Sequence, residues 1–254
     1  MKNQLSGEFL FQVAALLLAI IVVHGAYVGA IRPVADAQLR EQAAAIAAGA
    51  EAVPERSLAV VIRDLEQEAC FILLIWALAI MGYKGRQNVK ERRLLEASLI
   101  DIPEGTSVLP PDAREYSRSI EALPGEQQDY LLPRTLLAAL QRFATTGSIQ
   151  AVSDTIREQV EVESDRLDSE LSMVRYIAWA IPSIGFIGTV RGIGDALGQA
   201  YEAVEGDISG VTASLGVAFN STFVALVLSI IIMFCLNMNR FNYILIFCIL
   251  KIIF

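Results

Sequence analysis

The stretch IPSIGFIGTVRGIGDALGQAYE, from Ile181 to Glu202, decides how this chain is built. It ends an apolar run that approaches the ~20 residues needed to cross a bilayer. Yet it contains one proline, five glycines, one arginine and one aspartate. Lipid-facing helices tolerate such residues poorly. The stretch is therefore predicted to span a membrane with these residues facing other helices.

Four apolar runs predict four transmembrane helices. Hydrophobic residues make up 54% of the 254 residues and charged residues only 19%, below the roughly one quarter typical of soluble domains. A soluble globule is thereby excluded. The second run has only about 15 residues, so it must thin the bilayer or let Glu68 and Lys84 reach outward from its ends. The runs are residues 9–31, 69–83, 177–197 and 211–236.

The distribution of basic residues predicts the topology. Lys and Arg crowd directly after the second run, whereas the loop between the third and fourth runs has none. Since short cytoplasmic loops are enriched in Lys and Arg, the amino terminus is predicted to be cytoplasmic. The first run is too long for an ordinary signal peptide and is interpreted as a true span. The fold class is an all-α, multi-pass membrane protein with a helical cytoplasmic domain.

The same patterns predict the domain boundaries. Residues 1–83 hold the first two spans and an external, Ala-rich loop at 32–68, in which Pro33 and Pro54 favour short helices. Residues 84–175 form the cytoplasmic helical domain, and residues 176–241 hold the third and fourth spans. The apolar tail, 242–254, either lies along the membrane interface or results from truncation or a frameshift.

One amphipathic helix is predicted to begin near Ser148 and to continue without a break into the third span. Its apolar positions recur at three-to-four spacing, which is typical of a helix with one buried face. Such a helix would connect the cytoplasmic domain to the membrane part. The positions are Ile149, Val152, Ile156, Val160, Leu167, Leu171 and Val174.

Several function classes find no support in the sequence. The net charge of −8 argues against nucleic-acid binding, which needs a basic face. All three cysteines lie in apolar runs, so neither a disulfide framework nor a metal site is expected. No nucleophile, acid and base constellation is present. We therefore expect no enzyme, no cofactor and no metal.

Polar residues inside the spans are candidate functional groups. Arg191 and Asp195 stand one helical turn apart, and we favour a structural ion pair between them over a gate. For His24 we favour a neutral imidazole bonded to a neighbouring helix over a proton relay. Pro182 is expected to kink the third span, because it removes one backbone hydrogen bond and frees the carbonyl of Ala178.

The third and fourth spans each carry a stripe of small residues. Close helix packing explains such stripes, but packing does not require threonine hydroxyls, so a role in lining a polar path remains equally open. The stripe of the third span consists of Gly185, Gly188 with Thr189, and Gly192. That of the fourth consists of Ser214, Ala218, Ser221 with Thr222, Ala225 and Ser229.

Two motifs in these spans resemble a known family. IPSIGFIGTVRGIG, residues 181–194, and FNSTFVALVLSIIIMFCLNMNRF, residues 219–241, are similar to the MotA/TolQ/ExbB proton channel family. Val217 stands where the biopolymer-transport members carry a glutamate, and Arg191 where an apolar residue is expected. Four spans with an inside amino terminus look more like the flagellar stator arrangement.

The resemblance implies a channel subunit, with protons favoured over sodium. It implies a homopentamer in the bacterial inner membrane around two copies of a single-span partner, whose membrane aspartate carries the ion. Proton motive force then drives mechanical work. Thr189 and Thr222 match the family's channel-lining threonines, and the lining is predicted to include Gly185, Gly188, Gly192, Ser221 and Ala225. The alternative is a helical membrane scaffold or sensor that conducts no ions.

Overall fold

The structure is a computed structural model that describes residues 2–47, 57–95 and 109–253. Most of the described residues are helical and none is in a strand, which confirms the predicted fold class. The helices are α1 (Lys2–Ala26), a π-helix (Tyr27–Ile31), α2 (Arg32–Ala47), α3 (Leu58–Val61), α4 (Leu65–Leu95), α5 (Ala113–Glu121), α6 (Gly125–Gln128), α7 (Leu131–Thr146), α8 (Ile149–Glu170), α9 (Ser172–Gly198), α10 (Ala200–Val204) and α11 (Ser209–Ile253).

The chain divides into two compact units. The first consists of Met1–Met81 with Met173–Leu236, and the second of Gly82–Ser172 with Asn237–Phe254. Among the described helices, four stretches are long and apolar enough to cross a membrane. They are Phe9–Gln42, Leu65–Arg86, Ile149–Gly198 and Ser209–Met238.

The second span is longer than the sequence suggested, and the expected thinning of the bilayer is not required. Its candidate span has 22 residues, about 33 Å of helix. Glu68 and Lys84 do not reach outward as expected, because both side chains are buried and paired. The span predicted from the sequence begins at Ala69, because the three residues before it are polar. In the structure these residues, Glu66, Gln67 and Glu68, have hydrogen-bond partners on other helices.

The first span does not end at the predicted loop. Helical backbone continues from Lys2 to Ala47, with a π-helical turn at Tyr27–Ile31 directly before Pro33. The backbone N–H of Arg32 donates to the carbonyl of Tyr27, so the hydrogen-bond ladder shifts by one residue where proline supplies no donor. The prediction of short helices was wrong for residues 32–47. Pro54 lies outside the described residues.

The predicted helix from the second unit into the third span is present as α8 and α9. Ser148 caps its start, since the serine hydroxyl accepts a hydrogen bond from the backbone N–H of Ala151 at 3.4 Å. Leu171 alone separates the two helices, and its backbone angles, φ −85° and ψ −2°, remain in the right-handed helical region.

In the second unit, α5 and α8 pack against α7 around a small apolar core. A chain of ion pairs supplements this core. Arg134 binds Glu163 at 2.5 Å, Arg166 lies 2.9 Å from Glu170, and Lys84 lies 2.7 Å from the other oxygen of Glu170. The buried apolar side chains are Ala113, Ile120, Leu131, Leu132, Ala139 and Ile156.

The turn between α7 and α8 depends on Gly147. This residue has a φ of 61°, a left-handed conformation that costs a residue with a Cβ roughly 1–2 kcal/mol. We expect Gly147→Ala to lower the unfolding free energy of the full chain in detergent by about that amount. Gly125→Ala is the control, because Gly125 has neither a positive φ nor an atom within 4 Å of an added Cβ. Equal stability of the two variants would contradict the prediction.

The backbone of the apolar tail is part of α11. This helix runs for 45 residues, through Ile253. The side chains of residues 242–254 lie outside the described part. The two interpretations of this tail, an interfacial segment or the result of truncation or a frameshift, therefore remain predictions.

Candidate functional site

The small face of α9 packs directly against α11. A Cβ added to Gly185 would lie 2.3 Å from the Cβ of Ala225, and one added to Gly188 would lie 2.6 Å from the Oγ of Ser221. A Cβ added to Gly192 would lie 2.8 Å from the Cβ of Ala218, which is also on α11. Only glycine allows this approach of the two helices.

This packing buries five residues that the sequence predicted to line a channel. Their predicted lining role stays a prediction, because within one chain they are covered by the opposing helix. These residues are Gly185, Gly188, Gly192, Ser221 and Ala225.

Thr189 and Thr222 bring their hydroxyl groups into contact between α9 and α11. The Thr222 hydroxyl also donates to the carbonyl oxygen of Gly185 at 3.2 Å, and the Thr189 hydroxyl donates to that of Ala218 at 3.0 Å. Both threonines are half-buried rather than enclosed. The pair therefore ties the two helices together and still presents polar atoms at the edge of their contact.

Pro182 lies inside α9 without ending it. The carbonyl of Ala178, which the proline leaves without its helical donor, accepts a hydrogen bond from the Oγ of Ser229 at 3.4 Å. The next helix therefore replaces the missing bond. The carbonyl of Ile181 accepts a bond from the thiol of Cys70 on α4 at 3.6 Å. The kink itself stays a prediction.

Arg191 is in an ion pair, but its partner is not Asp195. Its Nε lies 2.7 Å from Oε1 of Glu66, and its second guanidinium nitrogen donates to Oε2 of Glu66 at 2.8 Å. Two parallel bonds of this kind are stronger and more directional than one. The predicted partner was wrong because Glu66 is 125 residues away in sequence, and only the folded chain brings α4 beside α9. The gate interpretation stays a prediction.

His24 has a carboxylate partner that the sequence did not reveal. Its Nδ1 lies 2.7 Å from Oε1 of Glu68, and Arg32 donates to the other oxygen of Glu68 at 2.5 Å. The guanidinium of Arg32 also lies 5.8 Å from the ring centre of Tyr27, within cation–π range. His24 thus bonds to a residue of another helix, α4, and the neutral state favoured for its imidazole stays a prediction. A relay role stays a prediction.

Three consecutive residues at the start of α4, Glu66, Gln67 and Glu68, were missed as site residues. Gln67 is completely buried, and its amide donates to the carbonyl of Val61 at 3.2 Å and to the Oγ of Ser221 at 3.3 Å. One signal was available, since three polar residues directly before an apolar run project about 100° apart on a helix. They can therefore meet three different neighbours.

The described residues contain no group of three or more His, Cys, Asp or Glu side chains arranged to hold a metal ion. Within this part of the chain, Cys70 and Cys235 are free thiols. The geometry is therefore that of a helix pair with a polar hydroxyl contact, supported by a third helix through Glu66, Gln67 and Cys70.

A comparison with known families supports this interpretation of α9 and α11. Residues 127–243 match the model of the MotA/TolQ/ExbB proton channel family. The predicted resemblance is thereby confirmed over this segment, which contains both motifs and the threonine pair. No curated protein and no solved structure matches the chain. The match to the proton channel family supports an ion-channel subunit in a multi-pass membrane protein. The charged residues of α1, α2 and α4 lie outside the matched residues.

Proposed function

We propose that this chain is the channel subunit of a complex that converts ion flow into mechanical work. The observation that carries the proposal is the contact between the hydroxyl groups of Thr189 and Thr222. It joins the two helices of the segment that matches the proton channel family. A hydroxyl pair that retains an exposed side can bond to a hydrated or charged group, whereas alanine or glycine could supply only close packing.

The exposed apolar faces of α9 and α11 support assembly with further helices. Phe186, Ile187 and Val190 are exposed on α9, as are Phe219 and Phe223 on α11. Lipid or neighbouring transmembrane helices would cover such faces. We propose a homopentamer in the bacterial inner membrane around two copies of a single-span partner that carries a membrane aspartate.

The energetics of the proposed coupling are adequate. Each elementary charge that crosses about 100 mV releases ~2.3 kcal/mol. Protonation removes the charge of the partner's aspartate and so changes its preference between a polar and an apolar contact. Repeated around a ring of subunits, this change can drive one component stepwise against another. We propose the proton as the ion, moving under proton motive force in a stator-like arrangement.

The threonine hydroxyls supply the direct test of conduction. We expect Thr189→Val and Thr222→Val to reduce proton flux through the complex in liposomes by about tenfold, the equivalent of a lost hydrogen bond. Valine keeps the branched shape, so assembly should persist. Thr212→Val is the matched control, because Thr212 is exposed on α11 and, in the described contacts, its hydroxyl bonds only to the nearby carbonyls of Ile208 and Ser209. Unchanged proton flux in both Thr189→Val and Thr222→Val would favour the alternative function, a membrane scaffold or sensor that conducts no ions.

The composition of the complex is a second test. The chain should be coexpressed with a candidate single-span membrane protein encoded beside it, extracted gently and measured by native mass spectrometry. We expect five copies with two partner chains. A monomer or dimer that does not bind the neighbour, under conditions that preserve a known pentamer, would contradict the proposed assembly.

A further inference from the structure

One turn of α4 contacts both helices that carry the family motifs. Side chains one and four positions apart on a helix can reach two different neighbouring helices. We define the α4 turn as Glu66, Gln67 and Cys70, which bond to α9, α11 and α9 in that order. The contacts join Glu66 to Arg191, Gln67 to the hydroxyl of Ser221, and Cys70 to the carbonyl of Ile181.

The α4 turn meets the two helices one residue before each threonine of the hydroxyl pair. Gly188 precedes Thr189, and Ser221 precedes Thr222. A Cβ added to Gly188 would lie 2.6 Å from the Oγ of Ser221 and 3.2 Å from the Cγ of Glu66. Three helices therefore approach one another at Gly188, directly beside the contact between the threonine hydroxyls.

The small residues of α9 and α11 set the distance between the helices but not their rotation. Contacts between glycine and alanine are attractive but not directional, whereas a hydrogen bond needs its donor to point at its acceptor. The bonds of the two threonines cannot hold the rotation while their hydroxyls bind a hydrated or charged group, as proposed above. A directional contact from a third helix can do so.

Gln67 supplies such a contact from a completely buried side chain. Its amide nitrogen donates to the Oγ of Ser221 at 3.3 Å and to the carbonyl of Val61 at 3.2 Å. Two acceptors on different helices hold the amide in one orientation. A leucine or methionine would fill this space without removing an amide from water, so packing alone does not explain a glutamine here.

We propose that Gln67 is a positioning residue: by holding Ser221, it fixes the rotation of α11 at which the two threonine hydroxyls meet. The other two residues of the α4 turn hold α9 against the same turn. The use of the hydroxyl pair in conduction rests on the proposed function, but its positioning does not. Since α4 lies outside residues 127–243, the proposal gives this helix a part in the geometry of the matched segment.

Disulfide cross-linking of the full chain in lipid nanodiscs measures the positions of the two threonines without any conduction. Thr189→Cys with Thr222→Cys should form a disulfide on mild oxidation, because the two hydroxyls are in contact. Mass spectrometry of the linked peptides distinguishes this disulfide from any that involve the native cysteines. Adding Gln67→Met, which removes the amide donor, should slow its formation by about fivefold, the size expected for one lost hydrogen bond.

Gln38→Met is the matched control. Gln38 accepts a hydrogen bond from the hydroxyl of Ser57, so the same substitution removes a bond between glutamine and serine in the first unit, and neither residue belongs to α9 or α11. Its cross-linking rate should equal that of the double-cysteine chain. Gln67→Met combined with Ser221→Ala separates positioning from stability, because removing both partners of a buried bond restores much of the lost stability. The combined variant should recover its Tm and still cross-link slowly.

A combined variant that cross-links as fast as the double-cysteine chain would overturn the inference, because Gln67 would then contribute only stability. Equal slowing in Gln38→Met would overturn it as well. In the complex with its partner, Gln67→Met should also reduce proton flux in liposomes by about fivefold, whereas Gln38→Met should not. A wild type that conducts no protons, while its cross-linking still depends on Gln67, would overturn only the proposed function.

Discussion

Gly185→Ala is expected to prevent stable packing of α9 against α11. The new Cβ would lie 2.3 Å from the Cβ of Ala225 and 3.0 Å from the carbonyl oxygen of Ser221. A backbone oxygen cannot rotate away as a side chain can, so the helices must separate. Overpacking of a tight contact costs about 1–3 kcal/mol and sometimes more, a large part of a typical stability of about 5–15 kcal/mol. The measurement is the yield of folded protein in membranes and its Tm in detergent.

Gly194→Ala is the matched control on the same helix. An added Cβ at Gly194 meets nothing within 4 Å, and alanine favours a helix over glycine by up to about 1 kcal/mol. This variant should therefore be as stable as the wild type or slightly more stable. Adding Ala225→Gly to Gly185→Ala removes the closest contact and should restore part of the lost stability. Equal Tm values for Gly185→Ala and Gly194→Ala would contradict the close packing of α9 against α11.

Glu68→Gln is expected to produce the second large effect. Glu68 is 5% exposed and accepts bonds from both His24 and Arg32. Removing one partner of a buried ion pair leaves the other charge uncompensated, at a cost of about 3–5 kcal/mol when both are fully buried. Arg32 is 30% exposed, so we expect about 3 kcal/mol, at the lower end of that range. The loss should appear as a lower unfolding free energy in detergent.

Asp36→Asn is the control for Glu68→Gln. It removes an ion pair from the same unit, but both partners, Asp36 and Arg63, are substantially exposed. Exposed pairs contribute about 0–1 kcal/mol and are screened by salt. Equal losses of unfolding free energy in Glu68→Gln and Asp36→Asn would show that burial does not make one ion pair more stabilising than the other. A large loss in Glu68→Gln alone would support the tie between α1 and α4.

Much of the candidate site could be predicted from the sequence, because its residues lie close together along two helices. Glycines at three-to-four spacing share a helix face wherever the helix packs, so the stripe of α9 follows from helical periodicity alone. Because Pro182 has no backbone N–H, the sequence also predicts that the carbonyl of Ala178 needs another hydrogen-bond donor. The motif around Thr189 also carries the family resemblance that the match to residues 127–243 confirms.

The partners of the charged residues could not be predicted in this way. Arg191 had a plausible partner one turn away, Asp195, but it binds Glu66, and His24 binds Glu68 at a separation of 44 residues. Local spacing favours neighbours on one helix, whereas a bidentate pair with a largely buried carboxylate is the stronger contact. Which carboxylate is available depends on how α4 is placed among the other spans.

The sequence by itself therefore determined the helical membrane fold, the four spans and the helix pair that carries the family motifs. These depend on hydrophobic length, helical period and local backbone chemistry, which act over a few turns of chain. Only the tertiary structure decided that the polar start of α4 belongs inside the first unit, where Glu66 pairs with Arg191 and Glu68 pairs with Arg32. The physical reason is that charge compensation depends on distances in space, and those distances join residues from helices far apart in sequence.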